Sequence, residues 1–121
     1  MGRAPRLNRG DVYTARLDPV EGSEQGGVRP VAIVSREIIN RRASFVIAVP
    51  LTTYRGQRLL PSHTVVRAGD GGLENDSVAL AEQVRTLSKT RFGRQRGTLS
   101  PGAMVRIEAA LRSALALNTG P

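Results

Sequence analysis

The chain has 121 residues, 40% of them hydrophobic, with no cysteine and one histidine. That length supports one domain burying about two-thirds of the surface of its unfolded chain; the absence of cysteine excludes disulfides and thiolate metal sites and suits the cytoplasm. The formal charge is +8, and 17 of the 18 basic residues are arginine, whose planar fork of donors matches phosphate oxygens, so nucleic acid is the partner class the charge favours over a solvated basic surface.

No apolar run approaches the roughly 18 residues of a membrane span, and no apolar signal core follows the basic N-terminus. Residues 1–8 read as a mobile basic arm and 9–121 as a single domain. Asp11 to Leu17 alternates, with Val12, Thr14 and Arg16 opposite Tyr13, Ala15 and Leu17, and predicts a strand. Asp18-Pro19 stops it, and a loop with three glycines runs to Arg29-Pro30. Val31 to Ser35 is a short apolar run expected to be a buried strand, with Pro30 at its first position. Ser44 to Leu51 is the clearest strand, followed by a polar stretch to Pro61. Ser62 to Arg67 predicts another strand, and Ala68 to Asp76 has turn composition. Ser77 to Leu87 alternates but puts Glu82 on the apolar face, which requires a bulge, a strand end or a buried partner. Ser100 as N-cap, Pro101 at the first turn, and Met104, Ile107, Leu111 and Leu115 at helical spacing predict a C-terminal helix ended by Asn118 and Gly120. Five or so strands and one helix indicate a mainly β fold, a small antiparallel barrel or twisted sheet capped by a helix.

Conventional catalytic machinery is scarce. His63, the single histidine, has no companions for a zinc site or a serine triad and reads as a structural or surface residue. Asp70, Glu74 and Asp76 cluster in a turn, but their spacing is not that of a calcium loop, and aspartate has its own reasons to occupy turns. No phosphate-cradling loop follows the glycines, since no Gly-Lys-Ser/Thr is present. What remains is Gly22 to Pro30 (GSEQGGVRP), where glycines surround Glu24, Gln25 and Arg29. On these residues alone the loop reads equally as a solvated connection or as a ligand site. If strands 31–35 and 44–51 are antiparallel neighbours, Arg29 and Thr52 fall at the same end of the pair. Thr52 alone would read as a hydroxyl capping a turn.

Four blocks, GSEQGGVRPVAIVS (22–35), AVPLTT (48–53), PSHTVV (61–66) and SVALAEQVRTLSKTR (77–91), resemble the MazF/PemK toxins of bacterial toxin–antitoxin systems, in the family's order over Arg9 to Leu117. The resemblance implies an SH3-like barrel, a homodimer, and a sequence-specific endoribonuclease acting on single-stranded RNA and neutralised by a cognate MazE-like antitoxin. It implies Arg29 and Thr52 as catalytic residues, and it places Glu24-Gln25 and Glu82-Gln83 at or beside the RNA site. The segment Arg91 to Arg96 is more basic than in many relatives and is expected to alter contacts at the edge of the site.

The residue inventory suits such chemistry without metal or cofactor. The RNA's own 2′-hydroxyl can serve as nucleophile, so the protein must orient it and stabilise charge on the phosphorane. Arg29 fits the charge-stabilising role and Thr52 adds a hydrogen bond; Glu24 is a candidate base or a group that orients Arg29. The expected products are a 2′,3′-cyclic phosphate and a 5′-hydroxyl. Gln25, Thr53, Arg58, Gln83 and Arg85 are expected to contact RNA. A non-enzymatic gyrase poison of the same fold is the alternative, because fold does not fix function.

Overall fold

The computed structural model describes residues 6–117, which form seven strands and two α-helices. The strands are β1 (Asp11–Arg16), β2 (Val28–Ile33), β3 (Phe45–Thr53), β4 (His63–Val66), β5 (Ser77–Leu80), β6 (Arg85–Ser88) and β7 (Phe92–Thr98); the helices are α1 (Glu37–Arg42) and α2 (Pro101–Leu115). All pairings are antiparallel, in the order β4-β5-β3-β2-β1-β7, with β6 added to β3. Among the described residues no ladder joins β7 back to β4, so the barrel-like sheet stays open.

Both faces of the sheet are packed. Val12, Ala32, Val49 and Leu51 lie beneath Ala103, Met104 and Ile107 of α2. Tyr13, Ala15, Val31, Ile33, Val46 and Ala48 form a second cluster with Leu7, Leu17, Leu87 and Phe92. The alternation read in β1 is therefore real, but each side meets a core. Ser100 caps α2 by accepting from the Ala103 amide at 3.2 Å, while Asp70 accepts from the Ser100 amide and hydroxyl at 2.7 Å each, placing a carboxylate where the helix dipole favours one.

Several elements differ from expectation. β2 begins at Val28, so Pro30 sits inside it, opposite Thr14. Ser77–Leu87 is not one strand, because β5 and β6 both pair with β3. Between the pairs Ala48/Arg85 and Leu51/Ala79, two residues of β3 face five of the partner, and the excess coils into a 3-10 turn, Ala81–Gln83. Pro50, without an amide to donate, occupies that gap in β3. The turn also resolves the position of Glu82, which is exposed rather than apolar-facing. Its carboxylate accepts from the Ser62 hydroxyl at 2.9 Å and lies 3.0 Å from His63 Nε2, whose Nδ1 accepts from the Leu60 amide.

Two elements escaped the sequence reading. α1 is only six residues long and lacks an apolar stripe; it is held by Asn40, which is buried and donates to the Ser35 carbonyl at 3.0 Å. β7 carries the Arg91 to Arg96 region as a strand beside β1. Leu7 is 1% exposed within the second cluster, so ordered packing begins inside the expected arm; residues 1–5 lie outside the described set. Leu115 is 53% exposed and leaves the expected stripe. α2 ends on Ala116 in a left-handed conformation, and Asn118 and Gly120 lie outside the described residues. No helix among the described residues is long and apolar enough to cross a membrane.

Candidate active site

The site arises where β3 changes partners. Val31 pairs with Pro50 as the last β2–β3 rung on that side, and from Leu51 onward β3 pairs with β5. Carrying the β2–β3 register two residues further sets Arg29 across from Thr52, with no ladder bond between them. The strands part there, and a cavity of about 230 Å³ opens, lined by Arg29, Pro30, Thr52, Thr53, Glu74 and Arg96 among others. That volume lies below the roughly 300–1,000 Å³ of sites that engulf small molecules. It suits part of a longer chain rather than a whole small molecule.

Arg29 is half-buried, and its Nε donates to the Gly26 carbonyl at 2.8 Å. This bond fixes the guanidinium on its own loop. Gly26 lets the loop fold close onto the segment before it, where a Cβ would fall 2.7 Å from Asp18 Oδ1 and 2.8 Å from Val20 Cγ2. Gly27 has φ +73°, which favours glycine, and its carbonyl accepts from the Leu17 amide at 2.8 Å. The glycines therefore shape a fixed turn that aims Arg29.

The remaining sequence-predicted residues divide. Glu24, Gln25, Gln83 and Arg85 line a second cavity of about 170 Å³ with Pro50, Glu82 and Val84. The Gln25 amide donates to Gln83 Oε1 at 2.7 Å, tying the glycine loop to the 3-10 turn, and Arg85 donates to the Leu17 carbonyl at 3.0 Å. Glu24 is exposed, and its carboxylate accepts from the Glu21 amide at 2.6 Å. It does not orient Arg29 in this structure; the Gly26 carbonyl does. Arg58 is exposed in the connection between β3 and β4 and lines neither cavity.

The Arg29 cavity also contains residues that the sequence reading did not assign. Arg96 enters from β7 because the turn at 70–72 lies directly on that strand: a Cβ on Gly72 would be 2.0 Å from the Arg96 carbonyl oxygen. Glu74 then faces Arg96, with an Nη2–Oε1 distance of 3.3 Å. The only sequence signal for Arg96 is the arginine density of 91–96, since β7 (FGRQRGT) carries no apolar alternation. The three turn carboxylates face separate partners: Asp70 holds Ser100, Glu74 meets Arg96, and Asp76 accepts from the Ala68 amide at 2.8 Å. That amide bond, against a smaller opposing effect of burial and with help from Arg67, holds the Asp76 carboxyl below its ordinary range.

Comparison with known proteins agrees with this architecture. Residues 8–115 match the family described as PemK-like, MazF-like toxin of type II toxin–antitoxin system. Endoribonuclease MazF of Staphylococcus epidermidis is 41% identical over 112 residues, covering 93% of each chain. A solved endoribonuclease in complex with its cognate antitoxin, from a mycobacterial species, superposes with a TM-score of 0.77 at 33% identity, covering 93% of this chain and 97% of that one. MazF from Deinococcus radiodurans shares the fold, with a TM-score of 0.80 at 24% identity over 93% of this chain and 99% of that one.

Proposed function

We propose that this chain, which belongs to the PemK-like, MazF-like toxins of type II toxin–antitoxin systems and is an endoribonuclease, cleaves single-stranded RNA through Arg29 and Thr52 without a metal ion. The observation that carries the reading is the cavity shared by Arg29 and Thr52 at the divergence of β2 from β3. A cognate antitoxin is its inhibitory partner, supported by the mycobacterial endoribonuclease in complex with its own cognate antitoxin, and the active species is a homodimer.

In the proposed reaction the RNA 2′-oxygen attacks the adjacent phosphorus and gives up its proton. The bond from phosphorus to the 5′-oxygen breaks, and that oxygen takes a proton. The products are a 2′,3′-cyclic phosphate and a 5′-hydroxyl. Arg29 donates to the non-bridging oxygens as charge builds on the phosphorane, and Thr52 adds a hydroxyl donor. Fixing the guanidinium in advance matters because a preorganised donor need not be reoriented during reaction. Glu24 is the proposed proton acceptor; its carboxylate must leave the Glu21 amide to reach the reacting hydroxyl. Gln25, Thr53, Gln83 and Arg85 contact the flanking nucleotides, with Arg58 on the exposed approach.

The donor set supports chemistry without a metal. The cavity holds two guanidinium groups, hydroxyls and an amide, with Glu74 as its one carboxylate already facing Arg96. Hard divalent cations prefer several oxygen anions and are repelled by such a lining. Mapping cut sites on a long RNA by primer extension, in excess EDTA and with Arg29→Ala beside wild type, tests the reading. Discrete cuts in EDTA that vanish in Arg29→Ala are expected; uncut RNA, or a strict magnesium requirement, overturns it.

A further inference from the structure

Arg96 is the second cation of the Arg29 cavity, and nothing in the reaction above uses it. Its side chain is 20% exposed, against 79% for Glu74. Its Nη2 lies 3.3 Å from Glu74 Oε1, its Nη1 makes a long 3.5 Å contact to Thr14 Oγ1, and its Nε is buried with no partner. A half-satisfied guanidinium in a cavity built for an oxyanion is in an unfavourable resting state. A phosphate would relieve it by presenting several acceptors to one fork of donors. Glu74 supplies only a poor substitute, since an exposed carboxylate held by one ion pair is easily released.

We propose that Arg96 is a second phosphate-binding residue of this site, and that Glu74 is a resident anion that occupies it until an RNA phosphate displaces the carboxylate. The proposal rests on the ribonuclease reading above. Arg29 and Arg96 enter from β2 and β7, with β1 between those strands, so they approach the cavity from different directions. Arg29 serves the reacting phosphate and Arg96 an adjacent one. Two fixed cations set the spacing of successive phosphates, which suits an extended single strand.

Removing Glu74 and removing Arg96 therefore have opposite effects on binding. The probe is a single-stranded RNA spanning one mapped cut site, with the 2′-hydroxyl at that site replaced by hydrogen. Its affinity is measured across a salt series. Arg96→Ala is expected to weaken binding about tenfold or more, and to reduce the slope of log affinity against log salt by about 0.7, one single-strand phosphate contact. Glu74→Gln, at an exposed position that the fold does not require, is expected to tighten binding by about two- to fivefold. Arg96→Lys keeps the charge and should keep the slope. An unchanged slope in folded Arg96→Ala, or unchanged or weaker affinity in Glu74→Gln, overturns the proposal; if Arg96→Ala does not fold, Glu74→Gln decides. Loss of cleavage in Arg29→Ala bears on the catalytic reading alone, so the two can fail separately.

Discussion

Replacing Arg29 by lysine separates charge from geometry. In the structure Nε is engaged by the Gly26 carbonyl at 2.8 Å, leaving the two Nη groups for the cavity. Lysine keeps the positive charge but has one nitrogen, which cannot both hold the loop and offer two parallel donors. Loss of one preorganised donor to a developing oxyanion costs about 2.7–4 kcal/mol, or roughly 10²–10³ in rate. Arg29→Lys should therefore cleave about 100- to 1,000-fold more slowly than wild type, and Arg29→Ala more slowly still. The fold should change little, because the side chain is only half-buried; a loss of about 1 kcal/mol corresponds to a melting shift of about 4 °C in a domain of this size. Single-turnover cleavage of an RNA with one mapped site, enzyme in excess, gives the rate, and a thermal melt gives the control. A lysine variant within tenfold of wild type would show that charge alone suffices and that the tether to Gly26 has no catalytic purpose.

Thr52→Ala should lose most of the cleavage rate while Thr52→Ser retains part of it, measured in the same assay; equal rates would remove the hydroxyl from the mechanism. Gln83→Ala should untie the glycine loop from the 3-10 turn and raise KM about fivefold, since the lost hydrogen bond is worth about 1 kcal/mol; an unchanged KM would mean that the Gln25–Gln83 contact at 2.7 Å does not position the loop. At Glu82, burial raises the pKa, but hydrogen bonds from His63, the residue's own backbone and Ser62, together with the His63 charge, outweigh it and hold the carboxyl below its ordinary range. A lowered folded pKa stabilises the fold above the unfolded value of about 4.3 and is lost as pH falls through the folded one. The melting difference between wild type and Glu82→Gln, small because the carboxylate is partly exposed to solvent, should vanish in that acidic window. A difference that persists unchanged to pH 3 would rule out this linkage.

What could be read along the chain was what local pattern encodes. β1 and α2 announce themselves through alternation in the first case, and through Ser100, Pro101 and the Met104/Ile107 spacing in the second. α1 could not be read because its stability comes from a tertiary contact, Asn40 reaching back to Ser35, with too few turns for a period to show. β7 was hidden for a related reason: FGRQRGT has no apolar alternation, and it is a strand because β1 pairs with it. Arg96 could not be assigned until that pairing was known. Arg29 and Thr52 were legible because antiparallel pairing of two evident strands sets their ends together. The position of Glu24 was not, because an acceptor bond three residues away, to Glu21, decides where its carboxylate points.

The cavity lies beside a change in the pairing of β3. β3 is paired with β2 along one side, while β6 and then β5 share its other. On that second side one long partner strand would leave no break; the three-residue excess at Ala81–Gln83 interrupts the ladder opposite Pro50. Beyond Pro50, β3 follows β5 away from β2, and the space between them admits Thr52 from one side and Arg29 from the other. The same excess presents Gln83 to the glycine loop. The irregularity thus supplies the support for the loop that aims Arg29 into the opening. Substitutions in the 3-10 turn that preserve the register of β5 and β6 should therefore disturb cleavage more than stability, and deleting the three extra residues, which leaves two residues facing two and so keeps both registers, would remove Gln83 and with it the tether of the glycine loop.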